Sequence, residues 1–185
     1  MINVNDFKPG VTFQYESNIY VVIEAHHSKS GRGQAHVKTN AKNLSTGATT
    51  NIAFTGGDKV EKAMIDKVDM KYSYYAGNNI VFMDTQTYDQ IEIPSSRLEW
   101  EKNFLTVGVM VSVTKYNGEV LRILLPDKIN LKIVEAEAAV KGDTASGATK
   151  KAKLETGLEI QVPLFIKDNE VIIVSTSDGK YSRRA

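Results

Sequence analysis

The chain has 185 residues, 42% of them apolar and 24% charged, a composition that supports one or two folded domains and excludes a disordered chain. It contains no cysteine, which excludes disulfides and thiolate chemistry and is compatible with a reducing cytosol. Bases and acids nearly cancel, 23 against 22, so any contact with a polyanion has to use a local patch.

That patch has to be sought at the ends. Residues 1–65 carry seven bases and five acids, residues 66–127 six and nine, and residues 128–185 ten and eight. The middle is acidic and faces something other than phosphate. Met1-Ile2-Asn3-Val4-Asn5-Asp6 has no basic head followed by an apolar core, so no signal peptide is read. The longest apolar run, Val107 to Val113, is too short for a bilayer. A cytosolic chain without membrane association is expected.

Strand signals dominate from the start. Val11 to Tyr15 and Tyr20 to Ile23 flank a predicted turn at Ser17-Asn18. Next comes His26 to Asn43, which holds four bases (Lys29, Arg32, Lys38, Lys42), no acid and all three histidines of the chain. Ala35, Val37, Thr39 and Ala41 alternate with polar residues there, predicting two strands joined by a loop with Gly31-Arg32-Gly33 at its tip. Period-two geometry places His36, Lys38, Asn40 and Lys42 on one face of the returning strand, a stripe about 20 Å long. The glycines beside Arg32 let the backbone bend tightly and approach a partner closely.

On spacing alone a Gly-Arg-Gly tip reads as a solvated turn. An acid-free run of eighteen residues in a chain with 22 acids favours a cationic probe on a basic stalk. A phosphate cradle made of backbone N–H groups is a weaker reading, because neither a P-loop ending nor a dinucleotide fingerprint is present. The histidines lack a cysteine or a carboxylate within the stretch, which argues against zinc.

Further turns are expected at Ser45-Thr46-Gly47 and Thr55-Gly56-Gly57-Asp58, around a strand from Ala48 to Phe54. Lys59 to Ala63 closes a first unit of about five strands, which suits a small barrel. Val68 to Tyr75, Ile80 to Met83 and Tyr88 to Ile93 are the first strands of a second unit. Ser96 and Glu99 stand at capping-box spacing and predict a helix running to about Phe104. Trp100 is read there as simple packing. Val107 to Tyr116 and Glu119 to Leu125 flank Asn117-Gly118, the strongest short hairpin signal in the chain.

The pattern restarts after Pro126-Asp127. Lys128 to Ala136 and Leu158 to Val162 alternate cleanly, Gly142 to Gly147 is a polar loop, and Val171 to Val174 is a strand. Asp178-Gly179 turns into Lys180-Tyr181-Ser182-Arg183-Arg184, which reads either as a functional end or as a frayed basic tail. The fold class expected is all-β, with domains at 1–65, 66–127 and 128–185. One large sandwich over residues 66–185 is the alternative.

These residues also carry a resemblance. Lys8-Pro9-Gly10, Ser30-Gly31-Arg32-Gly33-Gln34-Ala35, Lys42-Asn43-Leu44 and Thr46-Gly47 resemble the N-terminal domain of bacterial elongation factor P. Lys150, Ala152, Gly157, Ile160, Val162, Pro163, Phe165 and Ile166 stand at the spacing of that family's C-terminal signature. Gly142-Asp143-Thr144-Ala145 and Gly179-Lys180-Tyr181-Ser182-Arg183 resemble it too. The last signature glycine is Asn169 here, a residue that tolerates positive φ. Related initiation factor 5A ends after two domains, so the third unit favours the bacterial family.

The resemblance implies three small β-barrels, KOW/SH3-like and then two OB-fold-like, in an L shape similar to tRNA. It implies a monomer that binds the 70S-type ribosome beside peptidyl-tRNA and ribosomal RNA and relieves stalling at consecutive prolines. Such a factor positions the tRNA acceptor end and needs no catalytic residue, cofactor or metal. Arg32 would be the tip group, with Lys29, Gly31, Gly33, Lys38 and Lys42 on RNA, and Tyr181 and Arg183 as RNA contacts of the third domain. Family members carry a modified Lys or Arg at the tip, which implies a modifying enzyme acting on Arg32. Here an Arg sits between flanks typical of the Lys type.

Two other classes compete. A generic single-strand nucleic-acid binder of OB type needs aromatic platforms, for which Tyr72, Tyr74 and Tyr75 are the clustered option, in the acidic middle. A small hydrolase lacks a Ser-His-Asp, Cys-His or paired-carboxylate set.

Overall fold

The computed structural model describes residues 1–29, 31–139 and 147–185. Ser30 and residues 142–146 of the polar loop expected over Gly142 to Gly147 lie outside the described residues. Within them the chain forms sixteen strands and three short 3₁₀ turns, the all-β architecture that the alternating pattern predicts. No helix among them is long and apolar enough to cross a membrane.

The first sheet contains β1 (Ile2–Asn3), β2 (Thr12–Tyr15), β3 (Asn18–Ser28), β4 (His36–Asn43), β5 (Thr49–Thr55) and β6 (Lys59–Lys62), in the order β1-β6-β2-β3-β4-β5. It curls around Val4, Phe7, Phe13, Val22, Val37, Ala41 and Phe54. Phe7 and Phe13 lie 4.7 Å apart, and Phe54 meets both edge-on, the geometry that ring quadrupoles favour. The two-residue β1 adds a sixth strand to the five expected.

The first turn falls one residue earlier than expected. Tyr15 pairs with Asn18, and Glu16 and Ser17 take φ of 45° and 64°, as a two-residue loop matching the strand twist requires.

The second sheet contains β7 (Ile65–Ala76), β8 (Asn79–Asp84), β9 (Gln90–Pro94), β10 (Met110–Tyr116) and β11 (Glu119–Leu124), in the order β11-β10-β7-β8-β9. Asn117 and Gly118 have φ of 50° and 80° and make the expected tight hairpin. Tyr88 is not in a strand: its φ is 61°, and its amide donates to the Asp84 carbonyl at 2.9 Å to close a turn.

The expected helix from Ser96 to Phe104 does not form. Two 3₁₀ turns, Ser95–Arg97 and Glu101–Phe104, replace it, and no side chain caps either. Leu98 leaves helical geometry at φ −122° and ψ 36°. Both Leu98 and Phe104 are buried, and Phe104 sits in the core of the third sheet. Burial of that ring overrides a capping signal worth about 1 kcal/mol.

The third sheet contains β12 (Lys128–Ala136), β13 (Thr149–Leu154), β14 (Glu159–Pro163), β15 (Val171–Ser175) and β16 (Tyr181–Arg184), in the order β14-β13-β12-β15-β16. Its core includes Leu131, Ile133, Leu154, Val162, Ile166, Ile172 and Val174. Asn169 takes φ 65°, as expected where the family signature has glycine. The C-terminal residues are not a frayed tail, because Ile172 pairs with Arg184 and Ile173 with Arg183. Trp100 is 43% exposed, and its indole N–H donates to the Thr176 carbonyl at 2.9 Å.

The chain divides into two compact units, residues 1–68 with 113–123 and residues 69–112 with 124–185.

Candidate functional site

β3 and β4 pair from Tyr20 opposite Asn43 out to Ser28 opposite His36. Beyond that last pair, Lys29, Gly31, Arg32, Gly33 and Gln34 are exposed. Gly31 has φ +33°, and among the described residues beyond its chain neighbours no atom lies within 4 Å of where its Cβ would stand. The tip is therefore open on its glycine side, and Arg32 projects from a loop that a partner can approach closely.

The stalk has two distinct faces. Along β4, Val37, Thr39, Ala41 and Asn43 are buried, whereas His36 and Lys38 are exposed and Asn40 and Lys42 half-buried. The expected stripe of His36, Lys38, Asn40 and Lys42 thus lies outside the barrel.

On β3 a bulge changes which residues join it. Val22 pairs with Ala41, but the next pair is Glu24 with Asn40, which leaves Ile23 unpaired and 43% exposed. One extra residue reverses the parity of a strand. Val22 points into the core ahead of the bulge and Ala25 packs against it behind. Glu24 and His26 consequently turn outward. His26 is opposite Lys38, and Glu24 Oε1 lies 3.1 Å from His26 Nε2.

Together with Asn51, Ile52 and Ala53 of β5, these groups line an open cleft of about 490 Å³. Sequence reasoning that starts at His26 misses Glu24, two residues upstream. A bulge leaves no mark on an alternating pattern.

The histidines diverge. His26 faces outward beside Lys38, His27 is opposite Val37, and His36 is opposite Ser28. Among the described residues no group of three or more His, Cys, Asp or Glu side chains is placed to hold a metal ion.

The root of the tip loop is fixed from β5 and β6. The Gly56 amide donates to the Ala35 carbonyl at 2.6 Å. The Asp58 carboxylate accepts from the Thr55 amide at 3.0 Å, closing the turn that carries Gly56. Neither Asp58 nor Gly56 carries a charge pattern or a motif that marks it as a support.

In the third sheet, Tyr181 is half-buried against the core and lines a mostly apolar cleft of about 430 Å³ with Ile160, Pro163 and Lys180. Arg183 is exposed. Arg184 is tied down: its Nε and Nη2 donate to the Glu170 carboxylate at 3.1 Å each, and its guanidinium lies 4.9 Å from the Phe165 ring centre.

The aromatic cluster of the middle segment is not a three-ring platform. Tyr72 is 8% exposed and packs edge-on against Tyr75 and Phe82, each 6.2 Å away. Burial pushes its hydroxyl pKa up. Tyr74 and Tyr75 remain about half exposed.

Three family models match along the chain: the elongation factor P KOW-like domain over residues 3–60, the elongation factor P OB domain over 65–123, and elongation factor P, C-terminal, over 129–184. Curated relatives are similar from end to end. Elongation factor P of Mesoplasma florum is 59% identical over 184 residues, covering 100% of both chains. That of Mycoplasma mycoides subsp. mycoides is 57% identical, again over 100% of both. Among solved structures, eukaryotic translation initiation factor 5A from Methanococcus jannaschii superposes with a TM-score of 0.50 at 22% identity, covering 66% of this chain and 92% of its own. At that identity it supports the fold alone.

Proposed function

The chain belongs to the elongation factor P family, and from that premise we propose that it acts in translation elongation by binding the 70S-type ribosome beside peptidyl-tRNA and speeding peptide-bond formation at consecutive prolines. The observation that carries this reading is the exposed tip, Arg32, at the end of a hairpin whose outward face bears Lys38 and Lys42.

Proline is a poor partner in peptide-bond formation. Its ring fixes φ and its nitrogen is secondary, so the reacting groups are often misplaced. A factor that holds the tRNA acceptor end in attack geometry supplies orientation, and every ~1.4 kcal/mol taken off the barrier gives a factor of ten in rate. Arg32 reaches the acceptor end. Gly31 and Gly33 let the backbone follow it. Lys29 and Lys38 anchor on phosphates, and Lys42 contributes more weakly from the base of the stalk. Tyr181 and Arg183 contact RNA from the third barrel, Tyr181 through its exposed edge.

No group in this account donates or removes a proton, so the factor works without catalytic residue or cofactor, as a cytoplasmic monomer. Arg32 is open enough for a modifying enzyme to extend it. Three barrels, 1–65, 66–127 and 128–185, are the units of the reading, supported by three separate sheets. Co-sedimentation with 70S ribosomes in competition with free single-stranded RNA tests it. Retention on ribosomes is expected, and stripping by the free RNA would favour a generic single-strand binder.

A further inference from the structure

The β10–β11 hairpin belongs in part to the finger's own compact unit, since residues 113–123 group with 1–68. Two of its side chains touch the first barrel close to the finger's strands. From β10, the Tyr116 hydroxyl makes a long hydrogen bond of 3.5 Å to Gln14 Oε1 on β2. From β11, the half-buried Arg122 lays its guanidinium against Gly47. A Cβ on Gly47 would stand 2.8 Å from Arg122 Nη1 and 3.2 Å from Cζ, so the guanidinium occupies the space any side chain would need. Gly47 also has φ +76°, which disfavours every L residue.

The turn that presents Gly47 is stiff. Asn43 Oδ1 accepts from the Ser45 and Thr46 amides at 2.8 and 3.1 Å, and the Gly47 amide donates to the Asn43 carbonyl at 2.8 Å. Asn43 ends β4, the strand that carries Lys38 and Lys42 and leads back to the fingertip. Arg122 therefore holds the heel of the strand whose other end bears the tip, about 23 Å away at ~3.3 Å per residue.

We propose that Arg122, seated on Gly47, is a positioning residue: with the Gln14–Tyr116 contact it fixes the direction in which the finger points, and so the accuracy with which Arg32 is presented, without touching RNA itself. The proposal rests on the function inferred above. One contact leaves a pivot, whereas two fix a direction. A swing of about 10° at the heel moves the far end of β4 by about 4 Å. In a reaction driven by orientation, about 1 Å of misplacement costs on the order of a hundredfold.

Arg122→Met keeps the side chain's length and removes the guanidinium. Because the chain has no cysteine, spin labels can be placed at Gln34→Cys and Glu119→Cys, both exposed sites of this unit. Pulsed electron resonance on the full chain should give one narrow distance distribution with Arg122 and one at least twice as wide with Met. In a purified translation system Arg122→Met should lower the maximal rate through consecutive prolines about tenfold, with the half-saturating factor concentration within twofold of wild type. Arg122→Lys, which keeps charge but not the flat fork, should fall between. Equal distance distributions for wild type and Arg122→Met would overturn the proposal whatever the activity. A raised half-saturating concentration with an unchanged maximal rate would also overturn it, marking Arg122 as a phosphate anchor. A wild-type chain that does not speed synthesis would refute the function instead, and the distance measurement would still decide the seat.

Discussion

The backbones of Gly56 and Ala35 are in direct contact: the amide of one donates to the carbonyl of the other at 2.6 Å, and a Cβ on Gly56 would stand 2.7 Å from the Ala35 Cβ. This contact ties the root of the tip loop to the turn after β5. It makes the loop a supported probe, and it requires glycine for space.

Gly56→Val should therefore force the two backbones apart. Overpacking of this kind costs about 1–3 kcal/mol, and each 1 kcal/mol lowers Tm by about 2–4 °C in a chain of this size. Thermal unfolding checks the cost. Faster hydrogen exchange at residue 56 would show that its bond to Ala35 has opened.

The stalk's charge can be tested separately from its shape. Replacing Lys29, Lys38 and Lys42 together by Glu should weaken binding to ribosomes or tRNA and flatten its salt dependence by about two to three units of log–log slope. The same change at Lys67, Lys71 and Lys115, in the acidic middle, should do much less. Equal loss from both triplets would show that the stalk is not the RNA-binding element.

Trp100 is the chain's one tryptophan and reports on its own surroundings. A Cβ on Gly179, which has φ +72°, would stand 3.2 Å from Trp100 Cη2. Gly179→Ala should destabilise the second unit by more than about 1 kcal/mol, through backbone strain and displacement of the indole from the Thr176 carbonyl. A red-shifted Trp100 emission would read the displacement directly. Unchanged emission and Tm would contradict it.

The Ile23 bulge predicts an outcome of its own. Deleting Ile23 removes only the unpaired residue: Val22 and Ala25 still face the core, Glu24 and His26 still face outward, and Glu24 stays opposite Asn40. The deleted protein should therefore keep a cooperative unfolding transition. Loss of that transition would show that the kink the bulge puts into β3 is itself required.

Much of this was legible in the sequence, for identifiable reasons. Asn117-Gly118, the alternation of β12, and the outward row His36, Lys38, Asn40, Lys42 are local signals, and local geometry realises them. What escaped is decided by distant contacts. Phe104 is claimed by the third sheet's core, so Ser96 and Glu99 cap nothing. Tyr181 to Arg184 look like a tail until β15 pairs with them. Glu24 joins the site only through a bulge that composition cannot reveal. Gly56 and Gly47 matter through what approaches them, Ala35 in one case and Arg122 in the other.

The central claim is that Arg32 works through its reach and not through the fold. A solvated turn residue changes stability by no more than ~0.5 kcal/mol, so Arg32→Ala should leave Tm nearly unchanged. Arg32→Lys keeps the charge but loses the planar guanidinium and any group attached to it, and should retain partial activity. Intact mass of the protein from its native cell would establish whether the tip is modified. The most direct measurement is the rate of synthesis through consecutive prolines in a purified translation system with Arg32→Ala at saturating concentration. The account predicts that rescue is abolished while ribosome binding persists. Rescue equal to wild type would contradict the assignment of the fingertip as the functional centre.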